Sequence, residues 1–150
     1  MIVAKEDWIV TKEDWQDINN LLSQLSDKAK PVNWNDFSQI LKQESFELGV
    51  IRDYLQNGKI IGMGSIILVQ ALTGLKALIE DVVVDESHRG KKLGEKIVRG
   101  LIEKARERNA KYIDLTSNPQ RKAANKLYKK LGFKKRETNV YRLELNKTPQ

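Results

Sequence analysis

The 150-residue chain has no cysteine and one histidine. Without cysteine there is no disulfide framework, no thiolate nucleophile and no Cys-based zinc site. A single histidine, with no His-Glu-x-x-His pattern, argues against a catalytic metal. No apolar run approaches the roughly 18 residues a membrane helix needs. The opening M-I-V-A-K-E-D-W also lacks the charged start and long apolar stretch of a secretory signal. These absences lead to the expectation of a cytoplasmic protein. At 40% apolar, the chain is expected to form one domain over residues 1–150, with room for a real core.

Charge is present in quantity and unevenly placed. The net charge is +7, yet residues 89–136 alone hold 17 Lys/Arg against 4 Asp/Glu. Residues 1–75 hold 7 against 10, and residues 76–88 hold 1 against 4. A basic field of this kind suits a polyanion, and coenzyme A and nucleic acid are the two candidates. The plainer alternative is a set of solvated helix faces.

Periodicity organises the chain. Ile9 to Thr11 suggests a short strand, and Thr11-Lys12-Glu13-Asp14 a helix start. Trp15, Ile18, Leu21, Leu22 and Leu25 follow at helical spacing, and a second helix carries Trp34, Phe37, Ile40 and Leu41 behind Asn33. The period then changes to that of strands. Phe46 to Leu55 and Lys59 to Val69 flank Asn57-Gly58, a strong hairpin signal, and Leu75 to Val84 forms the third strand of a meander. Leu93, Ile97, Leu101, Ile102 and Ala105 mark a long amphipathic helix. Lys111 to Thr116 is a short strand, Pro119 to Leu131 a helix stopped by Gly132, and Phe133 to Leu145 a final strand. Strand–helix–strand implies a parallel crossover, so the fold class is α/β: a mixed, mostly antiparallel twisted sheet flanked by helices.

The most informative stretch is Ile79 to Gly94, I-E-D-V-V-V-D-E-S-H-R-G-K-K-L-G. A strand-like run ends in a polar turn, and a basic, glycine-containing loop opens the long helix. Backbone N–H groups and the positive end of the helix dipole would converge there on one point, where a phosphate can sit. His88 directly precedes this loop and reads as a turn residue rather than a catalytic base.

Arg89-Gly90-Lys91-Lys92-Leu93-Gly94 resembles the Arg/Gln-x-x-Gly-x-Gly/Ala loop of the GNAT family of N-acetyltransferases, with Lys92 in place of the middle glycine. If that position needs a positive φ, lysine is strained there. The segment from Ser117 to Phe133 resembles the same family's last motif, through Ala124, Leu127, Tyr128, Gly132 and Phe133. The resemblance covers roughly residues 47–145 well, and the N-terminal helices only in outline.

It implies a fold and a set of roles. The N–H groups from Arg89 to Gly94 would cradle the pyrophosphate of acetyl-CoA, with side-chain charge from Arg89, Lys91 and Lys92. The strand that ends in Val82, Val83 and Val84 corresponds to one that in the family diverges from its neighbour, often at a bulge, and its backbone groups would pair with the pantetheine arm. An N–H near Val82 would stabilise the tetrahedral oxyanion. Glu80 falls on the family's glutamate base, with Asp81 as the second candidate. The two are adjacent, so their side chains are expected on opposite faces of the strand. Tyr128 falls on the tyrosine that protonates the leaving thiolate; a phenol of pKa ~10 stays protonated at neutral pH. Many members carry Asn where this chain has Arg121, which puts one cofactor contact in doubt. Asn118, Arg121, Ala124 and Asn125 are the remaining cofactor candidates, with Asn118 also a candidate helix cap ahead of Pro119.

The acceptor is less legible. A small-molecule or peptide amine fits the family, and Ile79 to Gly94 also resembles glucosamine-phosphate N-acetyltransferases. Two other classes stay open: a CoA-binding domain without catalysis, and a basic nucleic-acid-binding module. Against the last, the basic residues are not interleaved with exposed aromatics, and no helix-turn-helix or RNA-recognition signature occurs. Family members are often dimers, so a homodimer is a further expectation.

Overall fold

The computed structural model describes residues 8–146. The chain divides into two compact units at Thr116/Ser117. Among the described residues no helix is long and apolar enough to cross a membrane.

The first unit opens with a 3-10 turn at Lys12–Asp14, then helices α1 (Trp15–Leu25) and α2 (Trp34–Leu41). Ile9 to Thr11 is not a strand. The region instead closes the 3-10 turn ahead of α1: the Asp14 carboxylate accepts from the Thr11 N–H at 2.9 Å and from both Arg52 terminal nitrogens at 2.8 and 2.9 Å. Burial raises the Asp14 pKa, and the Arg52 and Thr11 contacts together more than reverse it. Asn33 caps α2 as its spacing suggests, accepting from the Asp36 N–H at 2.8 Å.

Strands β1 (Phe46–Asp53), β2 (Lys59–Ala71) and β3 (Gly74–Val84) form the antiparallel meander. β1 stops two residues before the expected Leu55, because Tyr54–Gln56 coils into a 3-10 turn under an Asp53 cap. Asn57 and Gly58 then both take positive φ, as the hairpin signal requires. Helix α3 (Leu93–Glu107) crosses over to β4 (Ile113–Asp114), which pairs parallel with β3. The sheet order is β1-β2-β3-β4.

Each face of the sheet is covered. On one, Ile18, Leu21 and Phe37 pack on Leu48, Val50, Ile60, Met63 and Val83. On the other, α3 buries Leu93, Ile97, Val98, Leu101 and Ala105. Glycine lets α3 approach β2 closely. A Cβ on Gly64 would lie 2.7 Å from Ile97 Cγ2, 3.1 Å from Leu101 Cδ1 and 3.2 Å from Val82 Cγ2. Gly64→Ala is therefore expected to destabilise the protein by about 1–3 kcal/mol through overpacking, read as a lowered urea midpoint with unchanged slope.

The second unit holds α4 (Lys122–Lys130). It starts three residues later than the sequence suggests. Asn118 does not cap the helix itself; its Oδ1 accepts from the Gln120 N–H at 3.2 Å, closing a local turn through Pro119. Gly132 stops the helix at φ +99°. The final strand expected over Phe133–Leu145 is absent: the residues are irregular, with Val140, Tyr141, Leu143 and Leu145 exposed. Strand character needs a hydrogen-bonded neighbour, and within its own unit this segment has no strand beside it.

Candidate functional site

The site begins at a register shift between β2 and β3. Met63 pairs with Val83 and Ser65 with Glu80, so Asp81 and Val82 together face the single residue Gly64. This is a β-bulge, which bends the strand and sharpens its twist. Asp81 is the residue that absorbs it, at φ +53°. Aspartate tolerates that left-handed conformation better than the valines that follow. Buried Ser65 donates its hydroxyl to the Glu80 carbonyl at 3.1 Å and fixes the bulge from the neighbouring strand.

The bulge breaks the strict alternation of β3 between Glu80 and Val83, which lie three residues apart on one face. Cross-strand partners share a face, so Glu80 lies on the side of Ser65, Met63 and Val83, the side covered by α1 and α2. Both carboxyls are solvent-accessible, yet both are held above their ordinary range. Partial desolvation is the main cause at each, and the neighbouring Asp81 charge adds to it at Glu80. A carboxylate raised in this way is a better proton acceptor toward an ammonium.

Beside the bulge the sheet opens. The β3–β4 ladder consists of Ala77 with Ile113 and Leu78 with Asp114, and ends there, while β3 itself runs on to Val84. Val82, Val83 and Val84 lie in this stretch beyond the reach of β4. Val82 and Val84 turn their side chains toward Gly64 and Gly62 under α3, and Val83 is buried on the opposite face.

The loop after β3 is a 3-10 turn, Glu86–His88, followed by Arg89 to Lys92 and the start of α3 at Leu93. Arg89 donates Nε to the Val84 carbonyl at 3.1 Å, so its side chain closes the strand end as well as carrying charge. Gly90 has φ +82°, and a Cβ there would meet nothing within 4 Å. Lys91 and Lys92 are exposed. The first intrahelical bond runs from the Lys96 N–H to the Lys92 carbonyl at 3.3 Å, which leaves the opening N–H groups of the helix without an intrahelical acceptor. Open space, exposed ammonium groups and a helix start together fit a diphosphate.

Lys92 is the helix N-cap at φ +61° and ψ +24°. The residue that replaces the pattern's middle glycine thus sits where glycine costs least. A left-handed conformation costs an ordinary residue about 1–2 kcal/mol, part of which glycine returns as chain entropy. Lys92→Gly is expected to raise stability by about 0.5–1 kcal/mol, measured as a higher urea midpoint.

In the second unit Tyr128 is buried, and its ring meets Phe133 edge-on at 5.8 Å. Burial raises the phenol pKa, with Arg121 opposing, so the group stays protonated through neutral pH. Asn125 spends its amide on the local turn, donating to the Asn118 and Arg121 carbonyls at 2.9 Å each. Asn118 likewise serves that turn. Ala124 is half-buried and Arg121 exposed.

Sequence reading missed Ser65 and its chain neighbour Gly64. The pair Gly62-x-Gly64 inside a strand was the available signal, since glycine in a strand marks a bulge or a close approach. It also missed the polar contacts that tie His88 to Asp53 and Asp85. No spacing announces the contact with Asp53, which lies 35 residues away.

The acetyltransferase (GNAT) family profile matches residues 14–133. A glucosamine 6-phosphate N-acetyltransferase of Trypanosoma brucei brucei is 36% identical over 91 residues. That match spans 59% of this chain and 59% of the relative's length, under two thirds of it. Among solved structures, a Trypanosoma brucei acetyltransferase superposes with TM-score 0.77 at 27% identity, covering 91% of this chain and 96% of its own. A glucosamine-6-phosphate N-acetyltransferase of Arabidopsis thaliana gives TM-score 0.76 at 25% identity, covering 89% and 94%.

Proposed function

Because the chain belongs to the GNAT family of acetyltransferases, we propose that it moves an acetyl group from acetyl-CoA to a primary amine by direct attack. The observation that carries this reading is the bulge at Asp81 beside the end of the β3–β4 ladder, directly ahead of the basic loop. Bound acetyl-CoA supplies the electrophilic thioester carbon. Glu80 takes the proton from the acceptor ammonium, directly or through water, and so frees the lone pair that forms the C–N bond. Backbone N–H groups at the bulge bind the developing oxyanion, and Tyr128 gives its proton to the departing thiolate as the C–S bond breaks. The Arg89–Gly94 loop, with Lys91 and Lys92, holds the diphosphate, and Val82 to Val84 align the pantetheine arm.

The acceptor class favoured by the named relatives is an amino-sugar phosphate. The strong positive charge of residues 89–136 is compatible with a phosphorylated substrate. The test has two stages. Calorimetric titration with acetyl-CoA, and separately with CoA lacking its 3′-phosphate, reads the cofactor. Thiol release is then followed with glucosamine 6-phosphate, glucosamine and a peptide amine. Turnover restricted to the phosphorylated sugar supports the finer reading; turnover on the peptide alone replaces it. Absence of acetyl-CoA binding in folded protein at low salt sinks the acetyltransferase reading altogether.

A further inference from the structure

Ser65 lies within β2 and is 1% exposed; among the described residues only Asp14 is a comparably buried polar residue. Asp14 has Arg52 as a counter-ion. Ser65 instead stands opposite Leu48 on β1 and Glu80 on β3. A buried hydroxyl is costly unless it is hydrogen-bonded, and this one donates to the Glu80 carbonyl oxygen at 3.1 Å.

That bond orients more than a carbonyl. The peptide unit is planar, and no cis peptide bond occurs among the described residues. In a trans unit the N–H points opposite to the C=O. With the Glu80 oxygen held toward β2, the Asp81 N–H points away from β2, to the side on which β4 lies. The ladder agrees. Ala77, an even number of residues earlier in β3, donates its N–H to the Tyr112 carbonyl at 3.0 Å on that side. The β3–β4 pairing ends at Leu78 with Asp114, so at Asp81 the neighbouring strand has run out. The positive φ of Asp81 turns the chain just after this N–H, and Val83 resumes the register opposite Met63. The Asp81 N–H is thus aimed along the edge that β4 leaves open, immediately ahead of Val82 to Val84.

We propose that Ser65 is a positioning residue for acetyl transfer: by holding the Glu80 carbonyl it aims the Asp81 N–H at the thioester oxygen, so that this N–H binds the developing oxyanion. The inference rests on the reading of the chain as an acetyl-CoA-dependent enzyme. A donor that is fixed before the reaction needs no reorganisation as charge develops, which is what makes it effective. Ser65 supplies that fixity from the buried side, without touching the substrate. Its action is separable from that of the Glu80 carboxylate. Ser65 binds the backbone of residue 80, whereas the carboxyl is held above its ordinary range by desolvation and by the Asp81 charge.

The variant is Ser65→Ala, with a urea midpoint measured alongside to establish that it is folded. The first readout is the carbonyl stretch of bound acetyl-CoA, isotopically labelled at the thioester carbonyl and recorded by difference infrared spectroscopy with no acceptor present. In the wild-type protein the band is expected below that of free acetyl-CoA, because a hydrogen bond weakens the C=O bond. In Ser65→Ala that downshift should shrink, while the calorimetric Kd for CoA, which has no acyl group, is nearly constant. The second readout is thiol release with whichever of glucosamine 6-phosphate, glucosamine and the peptide amine turns over. There kcat should fall by about 10- to 100-fold, less than the loss of a whole oxyanion donor. The acid limb of the kcat profile should stay in place, because it belongs to Glu80. A lowered urea midpoint with the band and kcat unchanged makes Ser65 a purely structural residue and overturns the inference. A moved acid limb overturns it too, by assigning Ser65 to the carboxylate. Acetyl-CoA that binds the wild-type protein with its band at the free position overturns it while leaving the cofactor reading intact. Failure of the wild-type protein to bind acetyl-CoA removes the cofactor reading, and this inference with it.

Discussion

Replacing Glu80 by Gln is expected to lower kcat by about 10²–10⁴-fold, the range for loss of a general base. Gln keeps the shape and the polarity but cannot accept the proton of the ammonium. The Ser65 bond to the residue-80 carbonyl is a backbone contact and survives the change, so the bulge should persist. Acetyl-CoA affinity should therefore change little. The neighbour gives a second, sign-specific test. Asp81 raises the Glu80 pKa through its charge, after desolvation as the larger cause. Asp81→Asn removes that charge and retains a residue tolerant of φ +53°. Glu80 should then ionise at lower pH, and the acid limb of the kcat profile should move down. An acid limb that stays in place in Asp81→Asn, together with undiminished turnover in Glu80→Gln at saturating substrates, would remove Glu80 from the reaction.

Tyr128→Phe carries the second large expectation. It deletes one hydroxyl and keeps the ring that packs against Phe133, so helix α4 and its Gly132 stop should be unaffected. If the phenol protonates the leaving thiolate, kcat falls by about 10²–10⁴-fold while the Kd for acetyl-CoA is nearly constant. Burial holds the phenol above its ordinary pKa, so proton donation should persist through the neutral range and fail only on the alkaline side. Steady-state kinetics at saturating acetyl-CoA, paired with calorimetry on the same variant, separate the two quantities. Unchanged turnover would leave Tyr128 as a core residue and move the search to another proton source. An alternative acyl acceptor chemistry would not produce that outcome, because the leaving group is the same for every acceptor.

The two variants act on residues of different legibility. Tyr128 stands out in the sequence because Ala124, Leu127, Gly132 and Phe133 surround it at helical spacing and with a terminal glycine. Its phenol depends on burial, which the apolar stripe already implied. Glu80 is named by resemblance alone, and its environment was not readable. The strand's alternation is broken at a bulge after Glu80, because the extra residue is taken up between two strands whose register no local rule sets. Lys92 is intermediate. The substituted glycine was visible as a question, and only the backbone answered it, at φ +61°. Asn125 shows the converse. A polar residue on the side of Tyr128 invites a ligand role, yet its amide is committed to the turn before α4.

What the sequence determined by itself was what depends on neighbours within a turn or two. The hairpin at Asn57-Gly58, the cap at Asn33, the stop at Gly132, the amphipathic stripe of α3 and the basic opening of that helix all follow from local sterics, hydrogen bonding and periodicity. Tertiary structure alone decided the placing of the bulge at Asp81, the reach of β4 along β3, the tie between His88 and Asp53, and the absence of a final strand. Each of these is a relation between backbones or side chains far apart in the chain. A strand exists only where a partner supplies its hydrogen bonds, and a register is set by the packing of whole faces, so neither is written in any one segment.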